Sequence, residues 1–368
     1  MPKTVKRAYK FRFYPSPAQS AELTRTFGCV RLVWNKALDA RTRAWAADGR
    51  STTYVQASAA LTEWKRSDGL AFLNEVSSVP LQQALRHQQA AFAAFFAKRA
   101  GYPRFKSRKK SMASVEYTRS AFRWRGGQLT LAKMAEPLDI RWSRQLPESA
   151  NPSTVTVSRD ATGRWFVSVL VEETIEPLPL IDAMVGVDVG LSSLAVLSTG
   201  EKIANPRHER RDRLKLARAQ RDLARKQIGS NNRQKARRRV ARVYARITDR
   251  RTDFLHKLST RLIRENQVIA IEDLSVRNMV TNHTLARAIS DASWGQLRSM
   301  LDYKADWYGR ELVAVDRWYP SSKVCSACGV LTDQLPLQVR QWTCRCGAVH
   351  DRDVNAARNI LAAGLAER

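Results

Sequence analysis

Acidic residues are scarce in this sequence. Its 368 residues include 34 Asp and Glu against 63 Lys and Arg, a formal charge of +29. Such a chain repels itself unless a polyanion neutralises it, which points to nucleic acid, with an anionic membrane surface as the runner-up. Long apolar runs are also missing. The most apolar helical stretch, Ala84–Ala97, contains Arg86 and His87 and falls short of the roughly 18 residues a membrane span needs. No apolar segment follows Met1, so no membrane partner is expected and the expected location is the cytoplasm. Cysteine is sparse: of five, only Cys29 lies outside the stretch from Cys325 to Cys346. That excludes a disulfide framework and suits a reducing compartment with a metal site.

The positive charge is concentrated. Between Lys202 and Arg251 there are 19 Lys and Arg against four acids, Glu209, Asp212, Asp222 and Asp249. Proline is absent after Pro206, and Leu, Ile, Val and Tyr recur at three- and four-residue steps. This predicts a helical hairpin turning near Gly229–Asn232. A merely solvated face would carry interspersed acids. A surface for phosphate backbone fits better, with Arg233, Lys235, Arg237, Arg238, Arg239 and Arg242 as candidate contacts. A second basic stretch supplies Arg104, Lys106, Arg108, Lys109 and Lys110.

The chain changes character twice. Ala8–Tyr14 alternates aromatic and basic residues, as a one-faced strand does. From Pro17 to about Lys110 the pattern is helical, with breaks near Gly49, Gly69 and Pro80. From Ser114 to Glu173 it is β, with a hairpin signal at Gly126-Gly127. The first half therefore reads as a small β-barrel or sheet with a helical insertion. Beyond Asp182, strands and helices alternate.

That second half carries the chemistry. Met184–Val189 is a buried-strand pattern interrupted by Asp188, and Val268–Ile271 is another, running into Glu272. A carboxylate on a strand buried on both faces is costly unless it is paired or binds a metal. Asp353 opens a C-terminal helix expected to start near Val354. As its expected cap it is preferred over Asp351, although an N-cap role alone would also explain an Asp there. A ribonuclease-H-like sheet brings three such acids together. Clustered carboxylates favour Mg2+, or Mn2+ in its place. Two ions about 4 Å apart activate water and stabilise the leaving oxygen in phosphodiester hydrolysis. Cys325-x2-Cys328 is followed by fifteen residues and then Cys344-x-Cys346, and each pair has a glycine behind it, Gly329 or Gly347. Paired thiols on tight turns suit a tetrahedral Zn2+ site. His350 could replace one thiolate, but four thiolates suffice.

G-V-D-V-G-L (Gly186–Leu191), I-E-D-L (Ile271–Leu274), Y-P-S-S-K-V-C-S-A-C-G (Tyr319–Gly329) and D-R-D-V-N-A-A-R-N-I-L (Asp351–Leu361) resemble the TnpB (OrfB) proteins of bacterial insertion sequences. Y-K-F-R-F-Y-P-S-P-A-Q (Tyr9–Gln19) and S-W-G-Q-L-R-S-M-L-D-Y-K-A (Ser293–Ala305) carry the likeness nearly end to end. The resemblance implies an RNA-guided DNA endonuclease related to type V CRISPR effectors. The implied fold is multidomain α/β: a wedge strand over 1–16, a helical recognition region over 17–112 and the wedge β-barrel over 113–178. A RuvC nuclease domain follows over 179–290, including the basic hairpin, and over 291–318. A zinc ribbon is inserted over 319–350, and the last RuvC helix spans 351–368. Carried onto matching positions, the triad is Asp188, Glu272 and Asp353, and the zinc ligands are Cys325, Cys328, Cys344 and Cys346. The implied partners are a guide RNA derived from the element's end and double-stranded target DNA with a short flanking motif, with one protein monomer per RNA. Tyr9, Phe11 and Trp124 could stack on bases, although core packing suits each. Two other functions compete: a guided or unguided DNA-binding regulator, which the intact triad disfavours, and a strand transferase. The latter would need a His-pair metal site beside a nucleophilic Tyr, and His208 and His256 are not so spaced.

Overall fold

The computed structural model describes all residues except 1, 110, 149, 333, 334 and 337. The chain divides into two compact units, Thr4–Glu173 and Thr174–Arg368 with the first three residues.

The first unit opens with strand β1 (Lys3–Phe13) and helix α1 (Pro17–Asp48). Ser16 caps α1 in a capping box with Gln19, Pro17 fills the first helical position, and Gly49 closes the helix at φ +63°. Helices α2 (Tyr54–Arg66) and α3 (Ser78–Phe96) complete the insertion. The expected break near Pro80 falls at residues 75–77, just before α3, and the proline itself sits in the first turn of that helix, where its missing N–H has no helical partner to lose. Strands β2 (Ala113–Thr118), β3 (Phe122–Arg125), β4 (Gln128–Leu131), β5 (Ile140–Arg141), β6 (Thr154–Arg159) and β7 (Trp165–Ile175) follow. Four of them join β1 in a five-stranded sheet of order β2-β6-β7-β1-β5, and β3 and β4 form the Gly126-Gly127 hairpin. Strand β7 runs through Glu172 and Glu173 to Ile175, although two adjacent acids suit a strand poorly. Arg7 at 2.6 Å and the Tyr9 hydroxyl hold the Glu173 carboxylate and let the strand continue. Tyr9 and Phe11 are core residues and Trp124 packs against that core, so none is a free stacking surface.

The second unit contains β8 (Met184–Val189), β9 (Ser193–Leu197), β10 (Lys202–Ala204), α4 (His208–Ala224), α5 (Asn231–Glu265), β11 (Val268–Glu272), α6 (Val276–Met279), α7 (Ala286–Ala292), α8 (Trp294–Tyr308), β12 (Glu311–Val315), β13 (Gln341–Thr343), β14 (Val349–Asp351) and α9 (Arg352–Ala366). Its main sheet has the order β10-β9-β8-β11-β12. Strand β8 is antiparallel to β9 and parallel to β11, which is parallel to β12. Helix α5 continues well past Arg251. Its first half is basic and largely exposed, whereas Leu255, Leu258, Leu262 and Ile263 bury its second half in the core.

Two glycines let α9 lie against this sheet. A Cβ on Gly186 of β8 would overlap the carbonyl oxygen of Ala357 and stand 2.8 Å from the Leu361 nitrogen; one on Gly364 would stand 2.8 Å from the Ala270 methyl. Backbone blocks the first position, so Gly186→Ala must push α9 off the sheet. We expect it to lower stability by about 1–3 kcal/mol, the usual cost of overpacking, and to lower the melting temperature. An unchanged melting temperature would contradict this packing.

Candidate active site and metal centre

Asp188 is the fifth residue of β8, and Glu272 ends β11. The register Val187↔Ile271 makes them lateral neighbours, so both side chains leave the same face of the sheet. That face is the one covered by α9, because Gly186 and Ala270 have the parity of Asp188 and Glu272 and contact α9. Helix α9 begins directly after β14, which sets Asp353 in its first turn. All three carboxylates are half-buried. Burial, then the negative charges of Asp353 and Glu272, push Asp188 up to about 8, with Arg352 opposing. Burial also raises Glu272. A carboxyl that holds its proton near neutrality because it is buried and other carboxylates face it marks a place where cations are wanted.

The cap assignment is corrected. Asp351, not Asp353, is the N-cap of α9: its Oδ1 accepts from the amides of Asp353 and Val354, each at 3.1 Å, and the helix starts at Arg352. Burial works against the Asp351 carboxylate. Its bonds to Lys202 (2.6 Å) and to those amides outweigh that and hold it below the usual range. Asp351 is thus occupied by Lys202 and its own helix, while Asp353 is the acid coupled to Asp188; its Oδ1 lies 3.4 Å from exposed Arg340. An Asp that caps and an Asp two residues inside look alike in sequence, since both stand before the same apolar repeat.

The cysteines gather as the spacing suggests. All four sulfurs lie within 4.8 Å of one another, with Cys325–Cys346 at 3.8 Å and Cys328–Cys344 at 3.6 Å. Sulfurs 2.3 Å from a central zinc in a tetrahedron stand about 3.8 Å apart, so the cluster fits Zn2+. Gly329 (φ +75°) and Gly347 (φ +87°) turn the chain behind each pair, donating to the carbonyls of Cys325 and Cys344 at 2.9 Å. His350 stands outside the set, its Nε2 3.0 Å from the Cys325 sulfur and its ring against Trp342. Burial raises the Cys325 thiol, but the amides of Ala327 and Cys328 and the imidazole of His350 outweigh it and hold it down to about 6. Elemental analysis should find one zinc per chain, lost in Cys344→Ser; a metal content that this substitution leaves unchanged would contradict the assignment.

Side chains of α9 grip the cysteine-bearing segment. Asn355 Nδ2 donates to the Val324 carbonyl at 2.7 Å, and its Oδ1 accepts from the Ser326 amide at 2.9 Å. Asn359 donates to Ser321 and Val324 at 2.8 and 2.6 Å. Arg352, also buried, donates to the Pro336 carbonyl at 2.7 Å. Sequence reading missed all three; their signal is polar residues at i, i+3 and i+7 on the buried stripe of a helix.

The basic candidates divide. Lys235, Arg237, Arg238 and Arg242 are exposed along α5, as is Arg239, 3.4 Å from Asp222. Arg233 instead closes the hairpin, donating to the carbonyls of Leu223 and Lys226. Arg104, Arg108 and Lys109 are exposed, while the Lys106 ammonium stands 3.8 Å over the Trp34 ring. Lys110 lies outside the described residues.

Across 366 residues the chain is 72% identical to a Streptomyces pristinaespiralis protein named "Putative RNA-guided DNA endonuclease", covering 100% of this chain and 91% of that one. The chain belongs to the TnpB (OrfB) family. Residues 166–283 match the family model OrfB_IS605, described as "Probable transposase", and residues 294–360 match the TNB domain of Cas12f1-like proteins. Residues 1–50 match a helix-turn-helix model of the same family; here that span is a strand and one long helix. The family member InsQ of Escherichia coli K12, named "Putative RNA-guided DNA endonuclease InsQ", is 34% identical over 385 residues, covering 98% of this chain and 92% of that one. Among solved structures, Cas12f1 in its complex with sgRNA and target DNA superposes with a TM-score of 0.60 at 12% identity, over 97% of this chain and 98% of that one. A likeness at that identity establishes the fold: this TnpB chain has the mixed α/β architecture of Cas12f1. No helix among the described residues is long and apolar enough to cross a membrane.

Proposed function

We propose that this chain is an RNA-guided DNA endonuclease that hydrolyses target DNA at Asp188, Glu272 and Asp353. The observation that carries the reading is that Asp188 and Glu272 stand side by side on the face of the sheet covered by α9, whose first turn holds Asp353, with Asp188 pushed up by burial and by the other two acids. In this reading the second unit is a RuvC domain carrying the zinc ribbon, and the sheet of the first unit with its helical insertion is the wedge and recognition region. The names of the relatives, and Cas12f1's complex with sgRNA and target DNA, support the guide and the substrate.

Asp188 and Glu272 would hold two Mg2+ or Mn2+ ions from the strands and Asp353 would hold them from the helix, supplying an activated water and a stabilised leaving oxygen. The protein's own contribution is rigidity. Both strands are pinned in the sheet, Gly186 and Gly364 seat α9, and Asp351 fixes the backbone of Asp353. The exposed arginines of α5 would bind phosphates without reading sequence, leaving recognition to base pairing.

Because Asn355 and Asn359 tie the first cysteine knuckle to α9, loss of zinc should disturb Asp353. Cys325→Ser is expected to lose zinc and to cut at least about tenfold more slowly, the effect of about 1.4 kcal/mol at the barrier. Full-rate cutting by the zinc-free variant would sink this coupling. Sequencing the nucleic acid that co-purifies with the chain tests the reading as a whole. A discrete RNA is expected, and its absence would favour an unguided DNA-binding protein.

A further inference from the structure

We propose that Trp318 is a stacking platform for an unpaired base of the DNA strand led to the acids, a role that rests on the nuclease reading above. Lone exposed apolar side chains are ordinary, and Leu214 and Ile228 are as bare. Trp318 differs in chemistry, in how it is held and in where it stands. Its indole is 84% exposed, a large flat surface left to water. Among the described residues, no ring or cation stacks on it.

The backbone under it is fixed on both sides. Its amide donates to Asp316 Oδ1 at 2.7 Å, and the next amide, of Tyr319, donates to the Asp316 carbonyl at 3.1 Å. Arg317, just before it, bonds Asp273 at 2.6 Å. Tyr319, just after it, packs into the cluster of Ala270, Val315 and Ile360 beneath α9. A rigid turn therefore presents the one side chain of the three that has no partner.

The turn stands at the acid end of the sheet. Val315 pairs with Glu272, and its carbonyl accepts from the Asp273 amide at 2.9 Å. Trp318 is three residues on, at most about 11 Å of extended chain. Every base has a face that can stack on an indole, so such a platform would tolerate any sequence, as a guide-programmed cutter requires. Exposed Lys323, five residues further, suits the accompanying phosphates.

The test uses the full chain and single-stranded oligonucleotides bearing 2-aminopurine at successive positions, titrated without divalent metal, with Trp318→Ala and Trp318→Phe beside wild type. Wild type should quench at least one position. Trp318→Ala should relieve that quench and bind roughly 5- to 100-fold more weakly, the range found for removal of a stacking aromatic. Trp318→Phe should keep most of both, and all three chains should melt together because the indole is exposed. If Trp318→Ala quenches and binds like wild type, the platform is wrong even where wild type cuts DNA. If wild type stacks the base but never cuts, the nuclease reading fails and the platform's dependence on it fails too.

Discussion

Asp188→Asn should reduce DNA cutting at least about a thousand-fold while leaving guide and target binding within about twofold. Metal-assisted charge stabilisation is worth several kcal/mol, and each 1.36 kcal/mol is tenfold in rate. Binding relies on surfaces elsewhere, so it should survive. The same substitution has a second signature, in stability. Asp188 is pushed up to about 8 by burial and by Asp353 and Glu272. The folded chain then keeps a proton that the unfolded chain releases near pH 4. Without added divalent cation, this group's contribution to stability is fully present below about pH 4 and is lost as pH rises towards 8. The amide has no proton to lose, so the D188N chain should melt above wild type at pH 8 and alongside it near pH 4. Melts at both pH values and a cleavage time course measure the two effects. Retained cutting would remove Asp188 from the chemistry, and a wild-type advantage at pH 8 would contradict the crowding of acids around it.

The second large effect is that of salt. The formal charge of +29 and the exposed row Lys235, Arg237, Arg238 and Arg242 predict binding dominated by phosphate contacts. If six to ten phosphates are neutralised, affinity falls by about 10³- to 10⁵-fold between 50 and 200 mM salt. Replacing those four residues with alanine should flatten the log–log slope by up to about 0.9 for each phosphate that is no longer neutralised. Fluorescence anisotropy over a salt series gives the slope directly. A flat dependence in wild type, or a slope that the quadruple variant leaves unchanged, would remove the hairpin from the interface.

The elements legible in the sequence are those with strong local signals. The buried runs of β8 and β11 and the cysteine spacing each need only a few adjacent residues. Elements held by distant partners are not legible. Lys3–Arg7 has one apolar residue, Val5, yet it is strand because β1 belongs to a five-stranded sheet. Glu172 and Glu173 stay in β7 because the side chains of Arg7 and Tyr9, more than 160 residues away in sequence, receive one of them. Pro80 marks its break only to within a few residues, because sequence does not say which residue of a helix's first turn a proline occupies. In the candidate site the three acids can be named from sequence, but their shared face cannot. That depends on the parallel register of β8 with β11 and on two glycines that admit α9. The cap position expected for Asp353 marks the helix end correctly, but Asp351 supplies the cap. The asparagines binding α9 to the cysteine-bearing segment make contacts 29 to 38 residues away, which no local pattern encodes.

Reprogrammed cutting tests the central claim most directly. The chain is assembled with its co-purifying RNA and, separately, with the same RNA carrying a new guide segment, and each assembly is offered DNA matching one guide or the other in magnesium. Each assembly should cut only the DNA its own guide matches, and D188N assemblies should cut neither. Cutting that ignores the guide, or wild type that binds matched DNA without cutting it, would contradict the reading of this chain as an RNA-guided endonuclease.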